Sequence, residues 1–267
     1  MPRPLSGLVA ALTLLGAACG PPRSWSPLSD AVARDDIAAV KTLLDAGPPD
    51  PADSPHELMM WAARHGAADV IALLASRGVD VNQRDPNRNH WTPLQHAVHT
   101  QQPAAVRALL EWGADPNAVE AEGQLVPLLM AAGGAHAGII ELLLQYGANP
   151  RYVGEEGDTP LTRAVSGGAM SDIDTPILGR CRVANVRALL AADPGLRLPD
   201  SRVGRMAIWW ARVHDCEEVL KLVGTWTSHT TADKVVTAGG VIKDALGVPT
   251  PQDALKGTLA TDAPSRR

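Results

Sequence analysis

One pattern recurs along the whole central part of the chain. A unit opens as Thr-Pro-Leu-x-x-Ala, continues after a short gap as Val-x-x-Leu-Leu, and closes on Gly-Ala-Asp-x-Asn. Its clearest copy is Thr92-Pro93-Leu94, Ala97, Val106, Leu109-Leu110 and Gly113-Ala114-Asp115-Pro116-Asn117. Thr159-Pro160-Leu161 with Ala164 opens another, and Val126-Pro127-Leu128 leads to Ile140, Leu142-Leu143 and Gly147-Ala148-Asn149. Ala62-Ala63 leads to Ile71, Leu73-Leu74 and Gly78-Val79-Asp80-Val81-Asn82. Ser26-Pro27-Leu28, Ala31, Val40, Leu43-Leu44 and Gly47 form a first unit, and Met206 to Leu222 a degraded last one. The openings at 26, 57, 92, 126, 159 and 206 are 31, 35, 34, 33 and 47 residues apart. A unit this short cannot bury its own apolar face, so copies at a fixed period must stack on one another.

Each position has a physical reason. Thr caps the orphan N–H groups of a helix, and Pro at the first helical position loses no hydrogen bond. The Ala positions let neighbouring helices approach closely, and Leu and Val at helical spacing supply the stripe that stacks between units. Gly47, Gly78, Gly113 and Gly147 follow the last helical turn, where a left-handed cap costs Gly least. The segments between units are rich in Asp, Asn, Gly and Pro and read as turns. The absence of Phe among 267 residues fits this plan, because such a core is built from Leu, Ala, Val and Ile.

These blocks resemble the ankyrin repeat over about residues 26–224. The resemblance implies an all-α repeat fold, an ankyrin-repeat solenoid of about six helix-turn-helix units with hairpin-like turns between repeats. Two units depart from the pattern. In the fifth, Ala164 to Val186 spans 22 residues where Ala97 to Val106 spans 9, so an insertion sits at about 166–183, and the unit ends in Asp193-Pro194 instead of Gly. The sixth lacks Thr-Pro, reads one residue short between Ala211 and Val219, and carries Trp209-Trp210, one ring of which is expected to cover the end of the core. It suits a capping unit, since end repeats meet water on one face. Residues 225–267 are expected to hold a C-terminal helix over Thr231–Leu246 and a poorly ordered tail.

Residues 1–18 read as a signal peptide. Arg3 precedes an uncharged, mostly apolar run from Leu5 to Ala18, of 18 − 5 + 1 = 14 residues, too short for the roughly 20 that span a bilayer. The run and Gly16-Ala17-Ala18-Cys19 resemble a bacterial lipoprotein signal, although Gly16 stands where Leu is commonest. That resemblance implies lipidation of Cys19. With Gly20 rather than Asp next, it also implies a periplasm-facing outer-membrane lipoprotein on a tether over 19–25. A secreted or periplasmic soluble protein is the alternative, because Gly16 and Ala18 also suit ordinary signal peptidase. A buried first helix of a cytosolic protein is the remaining one.

Catalytic motifs are missing: the chain has no P-loop, nucleophile elbow, zincin helix or Cys-x-x-Cys pair. No cofactor, metal or catalytic residue is expected. His96 and His99 have a spacing open to a metal, but His99 falls at a variable surface position of the ankyrin repeat and is read as solvated; His136 is read as a structural turn residue, and Asp172 and Asp174 as a solvated loop. The net charge of −5 without a basic run argues against nucleic acid. If lipid occupies Cys19, Cys181 and Cys216 remain for a disulfide in an oxidising compartment, with two free thiols as the alternative. Helices packed roughly 8–10 Å apart exceed disulfide reach, so the insertion must bring Cys181 inward.

The expected function is therefore a non-enzymatic, monomeric scaffold that binds another protein and touches the membrane only through Cys19. It would assist a periplasmic enzyme or neutralise a toxin as an immunity factor; a structural spacer is the alternative. In ankyrin proteins the residues before Thr-Pro and after Ala-Ala are variable contacts. Here they are Arg64, His65, Arg88, Trp91, His99, Glu122, Glu155, Glu156 and Asp158, with Trp91 and Tyr152 as aromatic anchors. The implied face is basic near the second and third units and acidic towards the fifth.

Overall fold

The computed structural model describes residues 26–47, 53–86, 90–119, 125–134, 136–167 and 181–224. The signal peptide, Cys19 and its tether, most of the insertion and the C-terminal segment lie outside the described residues. Among those described there are twelve helices and no strand, arranged as six antiparallel pairs. The pairs are α1 (Pro27–Ala33) with α2 (Ile37–Asp45), α3 (Pro55–His65) with α4 (Ala68–Ser76), and α5 (Pro93–His99) with α6 (Pro103–Glu111). They continue as α7 (Pro127–Gly133) with α8 (Ala137–Gln145), α9 (Pro160–Ser166) with α10 (Val183–Ala192), and α11 (Arg202–Val213) with α12 (Glu217–Leu222). First helices pack on first helices and second on second, giving two parallel rows.

The repeat motif explains both rows. Thr92 and Thr159 each cap their helix and complete a capping box, with Gln95 and Thr162 reaching back to the cap backbone. The Ala of each first helix is buried: Ala31, Ala62, Ala97, Ala131, Ala164 and Ala211. A larger side chain there would hold neighbouring rows apart. In the second row Val40, Ile71, Val106, Ile140 and Val186 are fully buried at one register position. After the second helix, Gly113 and Gly147 adopt φ of +87° and +89°, a left-handed conformation that costs little without a Cβ.

Two expectations are corrected. The second unit does not begin at 57: Ser54 accepts from Glu57 N and Pro55 takes the first helical position, so α3 gains a turn and reaches 11 residues. Ser201 does the same for α11, which runs to 12 residues against 7 in α5. Nor is the sixth unit one residue short. Leu220 N bonds Cys216 O as Val106 N bonds Gln102 O, so Leu220, not Val219, is the counterpart of Val106. Val219 is buried beside it.

Polar links run from unit to unit at the edges. Asn82 donates to Gly113 O and accepts from Asp115 N; Asn117 donates to Gly147 O and accepts from Asn149 N. At the fifth unit an ion pair takes over, Arg151 Nε to Asp193 Oδ2 at 2.6 Å. The hydrogen bond from Arg151 is the main cause holding the Asp193 carboxyl below its ordinary pKa, supported by Gly195 N. On the opposite edge the turn between the two helices of a unit places Asp35, Gly66, Gln101 and Asp215 at positive φ. Asp35 uses that position to cap the neighbouring unit: its carboxylate accepts from Val70 N at 3.0 Å and Asp69 N at 3.4 Å. The N-cap residue of α4, Ala67, supplies no side-chain bond of its own.

Asp35→Ala should therefore lower the thermal midpoint by about 2–4 °C, from loss of a cap worth about 1 kcal/mol in a domain of this size. Asp35→Asn keeps an acceptor and should lose less. Thermal unfolding followed by circular dichroism checks both variants.

Candidate protein-binding face

The face is built on α3 and α5, neighbours in the first-helix row. The bonds Ala67 N to Ala62 O and Gln102 N to Ala97 O align Ala62 with Ala97. Arg64 therefore occupies the position of His99, and Trp61 that of His96. On α3 the Trp61 ring stacks on His65 four residues later, with centroids 5.2 Å apart and planes 12° apart. The Arg64 guanidinium carbon lies 5.6 Å from the same ring centroid, within cation–π range. Trp61 and Arg64 are half-buried and His65 is exposed. Burial, and secondarily the Arg64 charge, hold the His65 imidazole below its ordinary pKa.

On α5 the arrangement differs because Trp91 precedes the helix cap. Its ring meets His99 edge-on at 5.0 Å and His96 at 5.4 Å, and is half-buried on them. Its Nε1 is enclosed and finds no hydrogen-bond acceptor among the described residues. His96 points inward, is 2% exposed and meets Asp85 Oδ2 at 3.1 Å. Asp85 N in turn bonds Trp91 O at 2.8 Å. The buried pair thus fixes both ends of the loop that presents Trp91, while His99 stays exposed. Among the described residues no group of three His, Cys, Asp or Glu is placed to hold a metal ion.

The acidic part lies on the loop before α9. Gly154 N bonds Asp158 O, and Gly157 at φ +77° turns the chain. Glu155 and Glu156 are exposed, and Tyr152 is half-buried. Burial first, then Asp158 and Glu155, push the Tyr152 hydroxyl pKa up. Asp158, expected among the exposed contacts, is instead 6% exposed and bound to Arg163 Nε at 2.5 Å. Its position faces the first turn of α9, so its carboxylate secures the loop.

Arg88 and Glu122 lie outside the described residues. His136, read as structural, is the exposed N-cap residue of α8 and makes no side-chain cap bond. Trp209 and Trp210 are both half-buried and contact each other edge-on at 5.3 Å. Sequence reading misses Trp61. Its signal is a Trp four residues before a His, the same pair that recurs as Trp210 stacked on His214 at 5.3 Å.

A histidine NMR titration should place the His65 midpoint below 6.5, its unperturbed value. A His pKa lowered by folding favours the native state fully above the unfolded value, and that contribution is lost as pH falls through the folded value. Arg64→Gln should raise the midpoint while leaving it below 6.5, because burial is the larger cause.

Residues 28–120 match the family model described as ankyrin repeats, in three copies. Over 115 residues the chain is 36% identical to the Ankyrin repeat protein nuc-2 of Neurospora crassa, an alignment covering 41% of this chain and 10% of that protein. The chain thus matches about a tenth of the length of this curated relative. No helix among the described residues is long and apolar enough to cross a membrane. Ankyrin repeats over residues 28–120 and six stacked helix pairs among the described residues give an all-α repeat solenoid; ankyrin repeats are typically non-enzymatic scaffolds and generally mediate protein–protein interaction.

Proposed function

We propose that this protein is a recognition module of the bacterial cell envelope, held there by lipid on Cys19, which binds one partner protein through its first-helix face and assists or neutralises it. The observation that carries the reading is the pairing of two aromatic–basic groups on adjacent helices: Trp61 with Arg64 and His65, and Trp91 with His99. Trp, Tyr and Arg dominate binding energy at interface centres. Here the rings are already held by intramolecular contacts, so little rotamer entropy remains to be lost on binding. A partner with an acidic patch opposite α3 and α5 and a basic one opposite Glu155 and Glu156 fits the charge pattern, which would steer approach and set orientation. The envelope part of the proposal rests on the apolar run before Cys19 and the small residues around it.

Affinity capture from envelope extract tests the face. Wild-type protein should retain one stoichiometric partner, which His99→Glu and Arg64→Glu lose and Arg107→Glu, on the exposed side of α6, keeps. Trp91→Ala should weaken that partner's binding by about 2 kcal/mol or more and lower the melting temperature slightly, since the ring also packs on His96 and His99. Capture indifferent to Arg64 and His99, or no capture at all, would reject the face. Metabolic labelling with a fatty-acid analogue tests the anchor separately: the label should appear on wild type and vanish in Cys19→Ser, and equal labelling of the two would sink it.

A further inference from the structure

In the first, second, third and sixth units a short turn joins the two helices, and the same backbone bond closes it each time. Asp36 N bonds Ala31 O, Ala67 N bonds Ala62 O, Gln102 N bonds Ala97 O, and Cys216 N bonds Ala211 O. The residue in the middle of that turn has positive φ. In the fifth unit the insertion replaces the turn. Helix α9 ends at Ser166 with Gly167 as its C-cap, and the described chain resumes at Cys181, immediately before the N-cap of α10. By its spacing to α10, Cys181 stands where Gln101 stands before α6. Helix α10 is therefore delivered to its place in the second row by a long connection instead of a tight one.

What lies beside that position is Cys216. It is the N-cap residue of α12 in the next unit, is 4% exposed, and contributes no side-chain cap. Helix α12 is also the shortest described, at 6 residues. The two cysteines are paired as a disulfide with Cα atoms 5.3 Å apart, inside the range such a bridge requires. It ties the return of the insertion to the last unit. Farther along the same two helices, Arg187 pairs with Glu218. The sulfurs differ in access: Cys181 is exposed, whereas Cys216 is enclosed.

We propose that Cys181 and Cys216 form a reducible clamp that fastens the insertion-bearing unit to the terminal unit and releases it when a dithiol reductant is present. Closure oxidises both thiols by exchange with a disulfide oxidant. One cysteine thiolate attacks the oxidant and forms a mixed disulfide; the second displaces it, and the oxidant leaves as two thiols. In opening, a reductant thiolate attacks the exposed Cys181 sulfur, and Cys216 departs as a thiolate and takes up a proton. The second reductant thiol then attacks its own sulfur in the mixed disulfide, releasing Cys181 as a thiol and leaving the reductant oxidised. Release acts on α11 and α12 more than on the rest, because the terminal pair has a described neighbour on one side only and the clamp, at a sequence separation of 35, closes a loop that contains α11 and ends at the N-cap of α12. The earlier units lack any such link and stay as they are. The proposal is independent of lipid on Cys19 and of the partner.

The test uses the full chain carrying Cys19→Ser, produced under oxidising conditions, so that only these two sulfurs can react. Titration with Ellman's reagent in denaturant should find no free thiol before treatment with dithiothreitol and two after it. Limited proteolysis under native conditions should cut within 181–224 at least about tenfold faster after reduction, with cleavage in 53–119 unchanged. Cys181→Ser, at an exposed position, should match the reduced protein and no longer respond to dithiothreitol. Two free thiols in the untreated protein would overturn the proposal, as would equal cleavage rates before and after reduction.

Discussion

No helix pair in this protein owns a hydrophobic core. The side chains that would form one, Val40, Ile71, Val106, Ile140 and Val186, belong to a single buried cluster that runs through all the described pairs. Burial of this kind contributes about 1.5–3 kcal/mol for each large aliphatic side chain, but only while the neighbour is in place. The Ala row on the first helices sets how closely neighbours approach, and the Asn and Asp35 links at the edges fix their angular register. Stability is therefore a sum over interfaces, and the first and last described units have one fewer among the described residues.

The same constraint makes a surface. Because α3 and α5 are held in one register, residues at equivalent positions appear side by side, and the aromatic and basic groups of two units merge into one face. The support beneath that face is polar but satisfied. His96 and Asp85 meet in the interior, and the Asp85 backbone holds the loop bearing Trp91. Burying a polar pair is tolerable when each partner meets the other, whereas one left alone would be costly. Rigid presentation of this sort is what lets Trp and Arg contribute to binding without a large ordering cost.

Much of this is legible from residue types at fixed spacing. Thr92-Pro93 and Thr159-Pro160 mark helix starts because the cap and the missing proline N–H act locally, with no need for tertiary context. Gly113 and Gly147 mark the ends for the same reason. What misleads is local chemistry displaced by one turn: Ser54-Pro55 and Ser201 cap as well as Thr-Pro does, and they lengthen α3 and α11. Trp61 escapes notice in consequence, although its stack with His65 follows directly from their spacing of four on a helix. The tertiary roles are the least legible. Nothing in the order of residues says that Asp35 caps the next unit, that Asp158 turns inward to Arg163, or that His96 is buried on Asp85 while His99 stays exposed, both against Trp91.

The central claim is that a partner protein sits on the first-helix row of the second and third units. Site-directed photo-crosslinking in living cells tests it most directly, and it works whatever the partner's identity. A benzophenone amino acid placed at His65 or His99 should yield one discrete higher-mass adduct after irradiation, and the same amino acid at Lys41 on α2 or Arg107 on α6 should yield none. An adduct formed from the second-helix positions and absent from His65 and His99 would contradict the account.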